Sequence, residues 1–274
     1  AESGFLPGGT GWYRKSFTMP ESMAGQTVLL NFDGVYSDAY VYVNGEFIGE
    51  HHYGYTSFAF DISEKLIFDG ATENIIAVKT VNHIPNSRWY SGSGIYRNVT
   101  LMVTDPVHVD LNGTKITTPD ISSGSGTVNV TIDVVNDSDT LKTVTVKNII
   151  KEKGNETTVA EAETTVTISA GAAMTAETNP IVANPKLWSI ETPNLYEVHT
   201  VLSVDGVEVD SYDSTFGFRY FSFDNSGFHL NGENVKLKGV CMHHDQGALG
   251  SAAYYDAIYR QMSIMKDMGC NAIR

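Results

Sequence analysis

Residues 216–246 read F-G-F-R-Y-F-S-F-D-N-S-G-F-H-L-N-G-E-N-V-K-L-K-G-V-C-M-H-H-D-Q, and within them the chain changes its kind of structure. Phe228, His229 and Leu230, then Asn231-Gly232, then Val235, Lys236 and Leu237 have the form of a small hairpin. Asn-Gly suits such a turn because both central residues of a type I′ turn need positive φ. Residues 238–242 continue as a strand. Further on, residues 253–268 carry Tyr255, Ile258, Met262 and Met265 at helical spacing, which predicts one amphipathic helix. Ser251 stands where an N-cap belongs and Gly269 where a helix stops. Residues 271–274 begin another strand. Strand, helix, strand is one βαβ unit and implies parallel pairing.

Towards the N-terminus the pattern is strands alone. Residues 27–32, 39–43, 57–62, 74–81 and 95–103 are rich in β-branched and aromatic residues, and Asn44-Gly45 separates two such runs as a second tight turn. Many short strands with no helix between them predict a sandwich or jelly roll. Asp105-Pro106 reads as a hinge to a second region. There, residues 127–135, 142–149, 164–169, 196–204 and 207–212 alternate as strands, and Asp205-Gly206 makes another hairpin turn. Strands at this density fit an immunoglobulin-like sandwich. The stretch from Pro180 to Pro193 belongs outside central strands, because proline cannot donate to a ladder.

The 274 residues bound about two domains with a remainder, and 42% hydrophobic residues suffice for a core without metal or disulfide. The net charge of -14 argues against nucleic acid as a partner, which needs stripes of lysine and arginine. No apolar run reaches the roughly 20 residues of a membrane span. Residues 1–11 resemble a trimmed start rather than a targeting segment. Cys241 and Cys270 lie near the C-terminus and read as two isolated buried thiols more readily than as a disulfide. A cysteine-free stretch before them fits an exported or cell-surface bacterial protein, which is slightly favoured, and fits a cytosolic one too.

Three sets of segments together resemble glycoside hydrolase family two, the family of β-galactosidases, β-glucuronidases and β-mannosidases. The first is residues 34–44 (G-V-Y-S-D-A-Y-V-Y-V-N) with residues 93–99 (S-G-I-Y-R-N-V). The second is Leu187-Trp188-Ser189, Pro193-Asn194-Leu195-Tyr196 and Phe216-Gly217-Phe218-Arg219. The third is Leu230-Asn231-Gly232, Lys238-Gly239-Val240 and Asn271-Ala272-Ile273-Arg274. The resemblance implies a mainly β chain: a jelly-roll sugar-binding domain over residues 1–104, an immunoglobulin-like sandwich over 105–219, and over 220–274 the first βαβ unit of a truncated (β/α)8 catalytic barrel. It also implies that both catalytic glutamates belong to later barrel strands, beyond Arg274, so that no catalytic residue is expected in this chain.

The resemblance places site residues as well. His243 stands where the family has a histidine that hydrogen-bonds the bound sugar, although Cys241-Met242 precede it where the common form has Asn-Arg. The other readings are that His243 and His244 fill a loop, or form a metal site with Asp245; one strand end supplies few ligands for zinc. Because successive strand residues face opposite ways, only one of the two histidines should face a barrel mouth. Arg274 aligns with the family arginine that helps to keep the nucleophile ionised, a task for a permanently charged fork of donors. The loop containing Arg88, Trp89 and Tyr90 is a candidate to stack on and hydrogen-bond a sugar, or else to pack between domains. The aromatic run from His51 to Tyr55 reads as structural, and Asp33 and Asp38 as solvated rather than as a catalytic pair.

A retaining glycosidase needs two carboxyl groups about 5–5.5 Å apart. The function expected of the parent is therefore retaining hydrolysis of terminal β-D-galactosides, with this portion inactive alone. The form of residues 87–97 (S-R-W-Y-S-G-S-G-I-Y-R) is closest to large bacterial β-galactosidases. β-Glucuronidase and β-mannosidase are the alternatives within the family. A stand-alone carbohydrate-binding module and a purely structural fragment are the alternatives outside it. The expected partner is a carbohydrate, with no cofactor, metal or membrane. The apolar tail over residues 233–274 is expected to be either mobile or buried against a partner, a second copy of the chain or the remaining barrel half.

Overall fold

The structure, a computed structural model, describes residues 8–83, 86–87, 89–122 and 124–274. The chain divides into two compact units: the residues up to Val103 together with Lys238–Arg274, and Thr104–Leu237.

The first unit is built on strands β1 (Gly9–Phe17), β2 (Thr27–Phe32), β3 (Val35–Tyr36), β4 (Asp38–Val43), β5 (Glu46–His51), β6 (Phe58–Asp61), β7 (Asn74–Asn82), β8 (Gly94–Ile95) and β9 (Val99–Thr104). A sheet of order β1-β7-β4-β5 and a sheet of order β6-β2-β9 share one apolar cluster, with Leu30 and Phe32 from β2 and Val41, Val43 and Val78 from the other sheet. In β4 the period of two is plain: Ala39, Val41 and Val43 are fully buried, while Tyr40 and Tyr42 lie partly open on the other face. Asn44 (φ 50°) and Gly45 (φ 87°) make the turn to β5 in the left-handed region, as the sequence predicts. Asn74 is fully buried beneath that hairpin and is satisfied there. Its amide donates to the Ile67 carbonyl (2.9 Å), and its carbonyl accepts from the Ile67 N–H (2.8 Å) and from Asn44 (2.9 Å).

The second unit holds β10 (Val107–Thr117), β11 (Ser125–Thr127), β12 (Asn129–Asn136), β13 (Lys142–Glu152), β14 (Thr158–Ile168), β15 (Ala172–Thr178), β16 (Ile181–Ala183), β17 (Tyr196–Val204), β18 (Val207–Phe216), β19 (Phe221–Asp224), β20 (Gly227–Leu230) and β21 (Glu233–Asn234). Sheets β10-β12-β15 and β14-β13-β17-β18 enclose a second core of Val130, Ile132, Val144, Val146, Ile150, Val198 and Leu202, closed by Tyr196 and Phe218. Among the polar residues buried in this unit, Asn148 donates to Thr178 Oγ1 (2.9 Å) and accepts from Thr200 Oγ1 (2.6 Å). The region between Pro180 and Pro193 is not wholly a connection, since β16 pairs there with β11 in a two-stranded sheet.

The hairpin of β19 and β20 ends in a turn held by Asp224. Its carboxylate accepts from the Ser226 hydroxyl (2.6 Å) and the Ser226 N–H (2.7 Å). These two bonds, the hydroxyl first, stabilise the charged form and lower the carboxyl pKa to about 2. A folded pKa below the ordinary value means that the turn's contribution to stability is complete above the unfolded pKa and is lost as pH falls towards 2. In Ser226→Ala the carboxyl midpoint, followed by 13C NMR, should rise towards 3.8. A midpoint that stays near 2 would show that the hydroxyl is not its cause.

The last segment of the chain rejoins the first unit. β22 (Gly239–Val240) and β23 (Ala272–Ile273) pair in parallel, with the helix α1 (Tyr255–Asp267) between them in sequence. Arg274 extends the ladder at its C-terminal end by two bonds, from Met242 N–H to the Arg274 carbonyl (2.8 Å) and from Arg274 N–H to the Val240 carbonyl (3.0 Å). Gly269 (φ 86°) ends the helix turn as predicted. Two expectations are corrected here. Tyr254 rather than Ser251 is the N-cap, and no side chain caps it. Neither cysteine is buried: Cys241 is exposed and Cys270 partly so, both as free thiols, because β22 has a single neighbour. The predicted apolar stripe is open to solvent as well, with Tyr255 77% and Met262 37% exposed.

Candidate functional site

After β22 the chain passes through Cys241 and Met242 to His243 and His244, which contact different residues. The His243 and Trp89 rings are perpendicular, with 5.7 Å between centroids and the planes at 87°. The Nε2 of His244 lies 2.9 Å from the Ser91 carbonyl, and its ring sits 5.6 Å from Tyr55 and 5.9 Å from Tyr96. Residues 153 positions apart in sequence thus meet within one unit.

The loop that carries Trp89 is braced from below. Asn82, buried at the end of β7, donates to the Gly92 carbonyl (2.9 Å) and to Ser93 Oγ (2.7 Å), and the Asn86 amide bonds to the Asn82 carbonyl oxygen. Gly92 has φ 74°, and a Cβ there would fall 1.9 Å from Ser251 Oγ. The buried Ser251, read from the sequence as a helix cap, instead packs against this loop. The Ala253 N–H also donates to the Tyr96 carbonyl (2.9 Å).

The aromatic wall continues behind Trp89. Its indole N–H donates to the Tyr55 hydroxyl (3.3 Å), and the Tyr96 hydroxyl donates to the Gly54 carbonyl (2.8 Å). Burial raises the pKa of both tyrosines, so both keep their protons at neutral pH. Trp89 remains 39% exposed and is free to offer a face. Ring faces and hydrogen-bonding edges of this kind are groups that can stack on and hydrogen-bond a ligand.

Of the residues singled out in the sequence, Trp89 and His243 are in ring contact. Tyr90 is partly buried, with its hydroxyl 3.0 Å from where a Cβ on Gly250 would stand. Arg274 continues β23, and its guanidinium approaches Cys241 Sγ at 3.9 Å. Arg88 lies outside the described residues. Among the described residues, no group of three or more histidine, cysteine or acidic side chains is arranged to hold a metal ion. Asp38 is bonded to His52 (3.2 Å), and Asp33 accepts from Asn31 (3.1 Å). Tyr55, Tyr96 and His244 were missed. The only signal for Tyr55 was its place in an exposed aromatic run, and His244 stood out only as the neighbour of His243.

Known proteins are similar to this chain over nearly its whole length. Residues 6–106 match the family model "Glycosyl hydrolases family 2, sugar binding domain", and residues 107–219 match "Glycosyl hydrolases family 2". The β-galactosidase BoGH2A of Bacteroides ovatus is 43% identical over 99% of this chain, and a putative β-glucuronidase of Formosa agariphila is 39% identical over 99%. The chain spans 32% of the first relative's length and 25% of the second's. A glycosyl hydrolase family 2 member from Bacteroides cellulosilyticus superimposes with a TM-score of 0.94 over 98% of this chain and 37% of its own, at 39% identity. The Bacteroides uniformis β-glucuronidase gives 0.89 over 98% and 33%, at 33% identity. The chain belongs to glycosyl hydrolases family 2, of which it carries the sugar-binding domain and the domain that follows.

Proposed function

We propose that these residues are the front part of a retaining glycoside hydrolase that removes terminal β-D-galactosyl groups. On this reading the first sandwich is a jelly roll, the second is immunoglobulin-like, and the βαβ unit opens a (β/α)8 barrel whose later strands supply the acid and the nucleophile. The domain limits are residues 1–104, 105–219 and 220–274. The observation that carries the reading is the contact of Trp89 with His243, an aromatic face from the sandwich loop set beside the histidine that follows a parallel strand. In such a site Trp89 covers one face of the sugar, Tyr90 lines its edge, and His243 hydrogen-bonds a hydroxyl, while Arg88 is a further sugar contact on the ground of the sequence alone. Arg274 holds charge near the nucleophile. The similarity to BoGH2A supports a galactoside. β-Glucuronide is the second reading, supported by relatives named β-glucuronidase at 39% and 30% identity.

The test uses the longer gene product that contains these residues, offered nitrophenyl β-D-galactoside and nitrophenyl β-D-glucuronide. Galactoside cleavage with the β-anomer as first product, followed by NMR, is the expected result. Cleavage of the glucuronide alone would replace the galactoside reading, and an α-anomer as first product would remove the retaining mechanism. The 274-residue chain should turn over neither substrate, and activity that copurifies with it through successive columns would overturn the split between front part and catalytic part.

A further inference from the structure

We infer that His244 is a positioning residue, which fixes the loop bearing Trp89 against the strand end bearing His243. The inference depends on the sugar-site reading above only for what the loop is positioned to do.

Four contacts close a circuit. His244 Nε2 donates to the Ser91 carbonyl at 2.9 Å, so the proton sits on Nε2. Ser91 is 3% exposed, and a carbonyl stranded there without a donor would carry the cost of an unpaired buried acceptor. The same imidazole lies edge-on to Tyr55, whose hydroxyl accepts from the Trp89 indole N–H. Trp89 in turn meets His243, the residue next to His244. The imidazole therefore fixes the loop twice, at its backbone through Ser91 and at its exposed ring through Tyr55. Tyr96, held by its own bond to Gly54, backs the imidazole from the remaining side. The Ala253–Tyr96 backbone bond is a separate tie between the same segments, so loss of His244 should loosen the loop without separating them.

The chain has three tryptophans, and their indole N–H signals give three separate NMR reporters: Trp89 at the site, Trp12 on β1 and Trp188 in the second unit. In His244→Leu the Trp89 signal should move and amide exchange at residues 89–93 should rise about tenfold or more, with Trp12 and Trp188 unchanged. His244→Gln, whose amide can donate to Ser91, should restore most of the protection. An unmoved Trp89 signal in His244→Leu, or a glutamine variant no better than leucine, would overturn the assignment. Should His244→Leu also displace Trp12, the comparison of His244→Gln with the shorter His244→Asn reads the same bond, and equal exchange in those two would overturn it. A titration of the unsubstituted chain with methyl β-D-galactoside separates this question from the function. If the sugar moves neither Trp89 nor His243, the sugar-site reading fails while the His244 result stands.

Discussion

Phe218→Ala should cost the second unit about 3–5 kcal/mol, the usual range for emptying a fully buried aromatic position. The ring is 0% exposed, stands perpendicular to Tyr196 at 5.0 Å and meets Phe216 at 5.3 Å. Its edge also fills the space over Gly126, where a Cβ would fall 2.6 Å from Phe218 Cε1. Three rings and a side-chain-free strand position have been matched to one another, so the surroundings have little freedom to collapse into the gap. Tyr196 would also lose the neighbour that steadies its hydroxyl, which accepts the Lys186 N–H at 2.9 Å. Calorimetry of the whole chain should show a fall on the order of 10 °C in the transition of this unit. A transition displaced by only a degree or two would mean that the ring is not part of a packed core.

Gly92→Ala should be the most damaging small change in the first unit. A non-glycine residue at φ 74° costs roughly 1–2 kcal/mol. The new methyl would also fall 1.9 Å from Ser251 Oγ and 2.5 Å from its Cβ, an overpacking that typically adds about 1–3 kcal/mol. Ser251 is buried and cannot swing away freely. The cheapest escape is for the loop to leave its seat, which would carry Ser91 away from His244 and Trp89 away from His243. Amide exchange should therefore accelerate at residues 89–96 while the strands of the sheet keep their protection. Gly92→Ala with Ser251→Gly should recover part of the loss, and a double variant no better than the single one would show that backbone strain alone is responsible.

The strands that could be read from the sequence are those whose two faces differ. β17 matches its predicted span of residues 196–204 because inward Tyr196, Val198, Thr200 and Leu202 alternate with more open neighbours. β1 went unlisted because most of its residues are exposed, which leaves no alternation to read, although it pairs with β7 along its whole length. β10 was hidden by an irregularity between Val109 and Thr114 that shifts its register. At the site, residue type and local motif pointed to Trp89 and His243. The seat of His244 depends on a tertiary meeting with Ser91, Tyr55 and Tyr96 that no local pattern encodes. Ser251 shows the same limit, since its place before a helix suggested a cap while its buried contact with Gly92 gives it a different role.

The three Asn-Gly pairs of this chain should age at different rates. In such a pair the glycine nitrogen can attack the asparagine side-chain carbonyl and expel ammonia, provided that the side chain can swing into line. Asn44 is tethered at both ends of its amide, donating to the Lys65 carbonyl (2.7 Å) and to Asn74 (2.9 Å) and accepting from Ile75 N–H (2.8 Å). Asn231 is tethered likewise, to the Trp188 carbonyl (3.0 Å) and the Tyr220 N–H (3.2 Å). Asn112, at φ 62° in the irregular stretch of β10, is exposed, and among the described residues no hydrogen bond restrains its amide. Peptide mapping of chain stored at mildly alkaline pH should find deamidation first at Asn112-Gly113. The two hairpin turns would resist it through the same bonds that set their shape, so the protein's shelf life would be decided at a bulge rather than at either turn.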